Sequence, residues 1–179
     1  MKVIWQIVAL AICSAVVIFI LSLISKGTES IEKQTEQQIN DKPFVPSNNT
    51  IISPAHGFIS SISSSEGQTK VTIELSLFDI HDQYAPVSGI VLAKQVSNTS
   101  VSTTISSPLA LVQVIQRTGY IYQTIENNTI LNEIVSQGSI IGDIKRGSHV
   151  DIIFPSNVRL LCHVGQRVDG TKNVLARFT

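Results

Sequence analysis

The chain of 179 residues holds two cysteines, one methionine, one tryptophan and only 6% aromatic residues. Two thiols, Cys13 in an apolar run and Cys162 in a predicted late strand, supply no disulfide framework. No paired Cys or His spacing of the usual zinc-binding kinds is present, so no metal site is expected. Charge is scarce and balanced: 13 Lys and Arg against 13 Asp and Glu give a formal net charge of zero, with no basic run. That composition argues against a nucleic-acid partner.

The one long hydrophobic run lies at the start. Val3 to Ile24 contains no charged residue, and at ~1.5 Å rise per residue a helix of that length spans the ~30 Å hydrocarbon core of a bilayer. The run exceeds the ~7–15 residues of a secretory apolar region, and no small-x-small cleavage site follows it. It is expected to be one N-terminal transmembrane helix, with Trp5 at the interface. Lys26, Lys33 and Lys42 follow the run and Lys2 precedes it, a bias that leans toward a soluble domain on the cytoplasmic face. Three Asn-x-Ser/Thr sequons, at Asn48, Asn98 and Asn127, matter only in a eukaryotic secretory compartment. The predicted organisation is an anchor over residues 1–25, a polar stalk over 26–49 that is rich in Glu, Gln, Lys and Asn, and one domain over 50–179.

That domain reads as mainly β. Apolar residues alternate at Val71, Ile73, Leu75 and Leu77, then recur in short runs over 109–115, 120–125, 140–144 and 150–154, with turn signals between them. Two segments share one pattern: Ser53-Pro54-Ala55-His56-Gly57-Phe58-Ile59 and Ala85-Pro86-Val87-Ser88-Gly89-Ile90-Val91. In each, Pro fixes φ on entry, Gly permits a tight exit, and an apolar pair follows. They are predicted to be related corners of one β-structure.

Between the corners, Phe78-Asp79-Ile80-His81-Asp82-Gln83-Tyr84-Ala85-Pro86 brings an imidazole and two carboxylates together, Asp79 and Asp82 being expected to stabilise turns. Later come Ile141-Gly142-Asp143-Ile144-Lys145-Arg146-Gly147-Ser148-His149-Val150-Asp151 and the closing Val164-Gly165-Gln166-Arg167-Val168-Asp169-Gly170-Thr171-Lys172-Asn173-Val174. A Gly-Ser pair alone is a common turn. In this order and spacing, from about Ile51 to Ala176, the four segments resemble the short, membrane-associated phosphatidylserine decarboxylases.

The resemblance implies a proenzyme that splits between Gly147 and Ser148 and leaves a pyruvoyl group derived from Ser148, with no separate cofactor. It implies His81 as a catalytic imidazole and a membrane phospholipid as substrate. Arg146 and His149, on either side of the Gly-Ser pair, differ from the family's usual aromatic residue and Arg, and two motif positions also depart from its pattern. His56 stands where the family carries the Asp of Ser-Pro-x-Asp-Gly, and an imidazole can take a proton at neutral pH in its place. Tyr84 stands where the family carries an Arg for the substrate's anionic head, leaving Arg146 and His149, which flank the proposed cut, as further substrate-binding candidates. His149 and His163 otherwise read as structural or solvent-facing. The implied architecture is the barrel-sandwich type shared with biotinyl and lipoyl carriers. A carrier would need a modified Lys beside Met, and the only Met is Met1. The alternative is a non-catalytic, membrane-tethered relative that binds lipid or protein; a homo-oligomer is compatible with either.

Overall fold

A computed structural model describes residues 22, 47–119, 125–144 and 148–179. The described residues form fourteen strands: β1 (Thr50–Ile52), β2 (Gly57–Ser65), β3 (Gln68–Leu75), β4 (Asp82–Tyr84), β5 (Gly89–Val96), β6 (Ser100–Ser106) and β7 (Leu111–Thr118), then β8 (Ile125–Asn127), β9 (Ile134–Val135), β10 (Ile140–Ile144), β11 (Ser148–Pro155), β12 (Val158–Leu160), β13 (Arg167–Val168) and β14 (Val174–Phe178). Period-two burial is what drives them. In β3, Val71, Ile73 and Leu75 face the core while Lys70, Thr72 and Glu74 do not, and β11 continues the pattern with Val150, Ile152 and Phe154. Every pairing is antiparallel: one curled eight-stranded sheet in the order β13-β2-β3-β11-β7-β6-β5-β9, and two three-stranded sheets, β1-β14-β12 and β4-β10-β8.

The strand order carries an internal repeat. The series β1, β2, β3, β11, β12, β13, β14 matches the series β4, β5, β6, β7, β8, β9, β10 in pairing and in detail. Val168 pairs with Gly57 as Val135 pairs with Gly89. The β2–β3 ladder breaks register between Ile59 and Ser61, and the β5–β6 ladder between Val91 and Ala93. Ile59 exchanges backbone hydrogen bonds with Gly165 and Gln166 as Val91 does with Asn132 and Glu133. The second series is therefore inserted into the first, between β3 and β11. The two corners predicted from Pro-x-x-Gly are the equivalent points of the two series, and they bond to each other: Ile52 donates to the Pro86 carbonyl (3.1 Å) and Tyr84 donates to the Pro54 carbonyl (2.8 Å).

Glycine is required at both corners by close approach. A Cβ on Gly57 would lie 2.2 Å from the Glu74 carbonyl oxygen, and one on Gly89 would lie 2.2 Å from that of Ser106. Gly57 also has φ +152°.

Between β3 and β4 the chain makes a turn clamped by one buried carboxylate. Asp79 accepts from the Ser76 amide (2.8 Å) through one oxygen and from Arg167 Nη2 (2.6 Å) through the other. This clamp is the turn role expected of Asp79. Asp82 instead opens β4, opposite Asp143 of β10. Cys162 lies just beyond β12 rather than within a strand, and burial raises its thiol pKa to about 11. The run over 109–115 enters a strand only at Leu111, because Ser107 to Ala110 form the turn before it. Ser47, placed in the stalk by sequence, is bound to Gln137 Oε1 (2.8 Å). The apolar run over 3–24, the rest of the stalk, residues 120–124 and residues 145–147 lie outside the described residues, among which no helix is long and apolar enough to cross a membrane.

Gly57→Ala and Gly89→Ala are each expected to cost about 2–4 kcal/mol, read as a lowered thermal midpoint; an unchanged midpoint would mean the ladders part to admit a methyl group. A pH dependence follows from Asp79. Burial pushes its carboxyl up, but the Ser76 amide, Arg167 and the Ser76 hydroxyl together hold it below the usual value of 3.8. The folded value lies below the unfolded one, so this stabilisation is complete above roughly pH 4 and is lost as pH falls through the folded value. Acid titration of Asp79→Asn should lack that step, and a variant that titrates like the parent would remove the clamp from the argument.

Candidate active site

Ser148 is the first residue of β11, opposite Leu75 of β3 on one side and Thr118 of β7 on the other. Held between two strands, it is 1% exposed. Its hydroxyl oxygen is buried with no hydrogen-bond partner. Such an orphan costs about 1–3 kcal/mol, and a plain turn serine has no reason to bear it. A buried, uncommitted seryl oxygen at the start of a fixed strand fits the residue type and setting from which a pyruvoyl group is made. Gly147 and Arg146, the neighbours named from sequence, lie outside the described residues.

His81 follows the Asp79 clamp and precedes β4. Its carbonyl accepts from the amide of Ile144 (3.3 Å), the last residue of β10, four positions before Ser148. The same carbonyl accepts from Gln83 Nε2. The Nε2 of His81 is buried without a partner. A chain of amides fixes this backbone from behind. Gln83 Oε1 accepts from Gln116 Nε2 (2.7 Å), Gln116 Oε1 accepts from Asn127 Nδ2 (2.6 Å), and Asn127 Oδ1 accepts from Thr129 Oγ1 (2.6 Å). Lys94 closes the chain by donating to the carbonyls of Asn127 and Thr129. Gly142 permits it, since a Cβ there would lie 2.7 Å from Gln116 Nε2. Asp143, beside Gly142, adds a third buried orphan, Oδ1.

The two departures from the family's pattern meet. His56 Nε2 lies 3.4 Å from the Tyr84 hydroxyl, with the rings edge to face at 5.7 Å. On its other side His56 Nδ1 lies 3.6 Å from Asp169 Oδ1, whose second oxygen is 4.0 Å from Lys172 Nζ. With Nδ1 protonated toward Asp169, Nε2 is left to accept from Tyr84. Burial and then the charge of Asp82 raise the Tyr84 pKa, which keeps the hydroxyl a proton donor. Gly170 leaves room for the pair: a Cβ there would lie 2.5 Å from the Tyr84 ring. His56 immediately precedes Gly57, which approaches Glu74 next to Leu75, the register partner of Ser148. His56, His81 and Ser148 thus occupy the same end of the sheet.

His149 points to the other face of β11 and lines an open groove of about 420 Å³ with Lys70, Thr72, Arg117 and Asp151. Asp151, 2% exposed, accepts from Thr72 Oγ1 (2.8 Å) and from Arg117. His163 is exposed. Sequence reading assigned no role to Asp169, Gln83, Gln116 or Asn127. Asp169 lies in the closing segment, where its Asp-Gly step is a turn signal, and Gln83 lies in the segment around His81; Asn127 begins a sequon, and Gln116 carries no local signal.

Comparison of the sequence with known proteins identifies its family. The model of the phosphatidylserine decarboxylase family matches residues 93–176. A phosphatidylserine decarboxylase proenzyme of Carboxydothermus hydrogenoformans is 31% identical over 152 residues, 72% of this chain and 71% of the relative. One of Chlorobaculum parvum is 26% identical over 164 residues, 80% of this chain and 74% of the relative. A putative archaetidylserine decarboxylase proenzyme of Methanothermobacter thermautotrophicus is 32% identical over 126 residues, 63% of this chain, and the chain spans 56% of that relative's length. No solved structure matches. With these relatives, the chain belongs to the phosphatidylserine decarboxylase family.

Proposed function

We propose that the chain is a proenzyme that cuts itself between Gly147 and Ser148 and then decarboxylates a serine-headed phospholipid, phosphatidylserine in the first instance. The observation that carries this reading is the Ser148 hydroxyl, buried and unpartnered at the start of β11. Ser148 Oγ attacks the Gly147 carbonyl carbon; the C–N bond breaks, the Ser148 nitrogen takes the proton, and an ester replaces the amide. A base then removes the Ser148 α-proton, the Cβ–Oγ bond breaks, and Gly147 leaves as a carboxylate. The resulting dehydroalanine tautomerises and hydrolyses, losing ammonia, to a pyruvoyl group. That group supplies a ketone that takes up the substrate amine and accepts the electrons released as carbon dioxide departs.

The remaining work falls to side chains. His81, its backbone fixed by Ile144 and the amide chain, offers an unpartnered Nε2 as a proton acceptor on the segment bonded to the end of β10. In this reading His56 replaces the family's carboxylate: Asp169 orients it, and Tyr84 is the proton donor it faces. Tyr84 and Arg146 contact the head group, whereas His149, on the other face of β11, is turned away from the face that Ser148 occupies. The curled sheet flanked by two small sheets supports a barrel-sandwich architecture. Residues 1–25 form the transmembrane anchor, with residues 50–179 on the cytoplasmic side.

A second reading, a non-catalytic relative that binds lipid or protein, draws on one observation. The family's Asp and Arg positions are both replaced, and their replacements are engaged with each other.

Intact mass separates the two. The first reading expects a fragment of residues 1–147 and one of 148–179 carrying a pyruvoyl-consistent mass deficit, both absent from Ser148→Ala; a single uncut chain in both would sink it. The fragments should stay together under native conditions, because β11 pairs with β3 and β7, β13 with β2, and β14 with β1. His56→Ala should slow processing by about 10²-fold, measured by the appearance of the small fragment over time. Cleavage at the parent rate would remove His56 from the machinery.

A further inference from the structure

The turn between β3 and β4 places apolar side chains outside the fold. Phe78 is 98% exposed, Leu77 63% and Ile80 55%, and Phe58 on β2 is 46% exposed. This is a held conformation. Both oxygens of buried Asp79 are committed, one to the Ser76 amide and one to Arg167, and the Phe78 amide donates to Ser76 Oγ (3.3 Å). Leu77 and Phe78 are thereby kept at the tip, unable to fold back on the core. Arg167 ties the surface together, since its guanidinium lies 5.1 Å from the Phe58 ring centroid while bonding Asp79.

We propose that the Leu77–Phe78 turn, with Ile80 and Phe58, is the surface through which the active-site end of the domain docks on a phospholipid bilayer. The inference rests on the reading above that the substrate is a membrane lipid. His81 lies three residues beyond Phe78, at the end of the sheet that carries Ser148. A head group can reach that end only if the end meets the membrane. The tip is convex and small, a shape that a fluid interface accommodates without a matching pocket. Aromatic and aliphatic tips partition into the interfacial layer, and Arg167 at their edge stands at the depth of the phosphates. The opposite end of the same hairpin is polar, Ser64-Ser65-Glu66-Gly67-Gln68. The two ends differ in the sense that docking by the active-site end requires.

The test uses the full chain reconstituted in phosphatidylserine–phosphatidylcholine vesicles. Its single tryptophan, Trp5, is replaced (Trp5→Phe) and a new one is introduced by Phe78→Trp or, at the polar end, by Ser65→Trp. The Phe78→Trp chain should show blue-shifted emission and strong quenching by lipids brominated at shallow acyl positions, while the Ser65→Trp chain shows neither. Phe78→Asp should lower decarboxylation of vesicle-borne lipid by about tenfold or more, with self-cleavage by intact mass unchanged. Water-like, unquenched emission from position 78 overturns the proposal, and so does a blue shift that persists without lipid, which would assign the turn to a second copy or another protein. Quenching is read independently of cleavage. An uncut chain that docks defeats the enzyme reading alone, and a cut chain that does not dock defeats this proposal alone.

Discussion

The reciprocal hydrogen bonds between the corners, Ile52 to Pro86 and Tyr84 to Pro54, are the constraint on which the rest of the site depends. Each corner has a glycine where its strand begins. The Gly57 and Gly89 backbones press against the Glu74 and Ser106 carbonyls at a distance no side chain tolerates. Once the corners are joined, Tyr84 is delivered to His56, and β4 is delivered to β10 with His81 at its leading end. The contacts that matter for chemistry are thus consequences of a backbone pairing whose first purpose is to lock two similar series of strands together.

The two series differ where it counts. In the inserted series the chain passes from β6 to β7 through a tight turn, Ser107 donating to the Ala110 carbonyl (3.0 Å). In the enclosing series the same place is interrupted by the whole insertion, and Ser148 occupies the position that Ala110 holds in the other. The proposed bond to be cut is therefore at the seam where one unit re-enters the other. A cut there severs a connection without removing a strand, since the ladders of β11 with β3 and β7 run from Ser148 onward. Hydrogen bonding and the burial of Val150, Ile152 and Phe154 hold the downstream segment in place whether or not the peptide is intact.

Much of this could be read from the chain. The Pro-x-x-Gly corners were legible because Pro and Gly restrict backbone geometry locally, and the strands of the core because burial imposes period two. The nesting was not legible. Pairing β2 with β13 or β5 with β9 depends on register between segments far apart in sequence, which no local pattern encodes. The Gln83–Gln116–Asn127 chain escaped for a different reason: amides in a sequence read as surface residues, and only the fold shows that Gln83 and Gln116 are 0% and 1% exposed. Leu77 went the other way, counted in the apolar alternation of β3 yet exposed in a turn held by an aspartate whose partner, Arg167, lies 88 residues downstream.

The distribution of unsatisfied groups gives the site its character. Elsewhere in the described interior, buried polar atoms are paired with some care, as in the amide chain and in Asp151 with Thr72 and Arg117. Among the described residues, three buried side-chain atoms lack partners: His81 Nε2, Asp143 Oδ1 and Ser148 Oγ. They lie on β10, on the segment bonded to its end, and at the start of the strand that follows it. At about 1–3 kcal/mol each, such a concentration is costly in a domain whose total stability is on the order of 5–15 kcal/mol. A fold selected only for packing or for binding through its surface would fill these atoms' needs or replace them with apolar groups. Keeping a hydroxyl, an imidazole nitrogen and a carboxylate oxygen uncommitted around one strand end is the arrangement that the proposed bond-making at Ser148 would use, because groups already satisfied by the protein have nothing to offer a reacting centre.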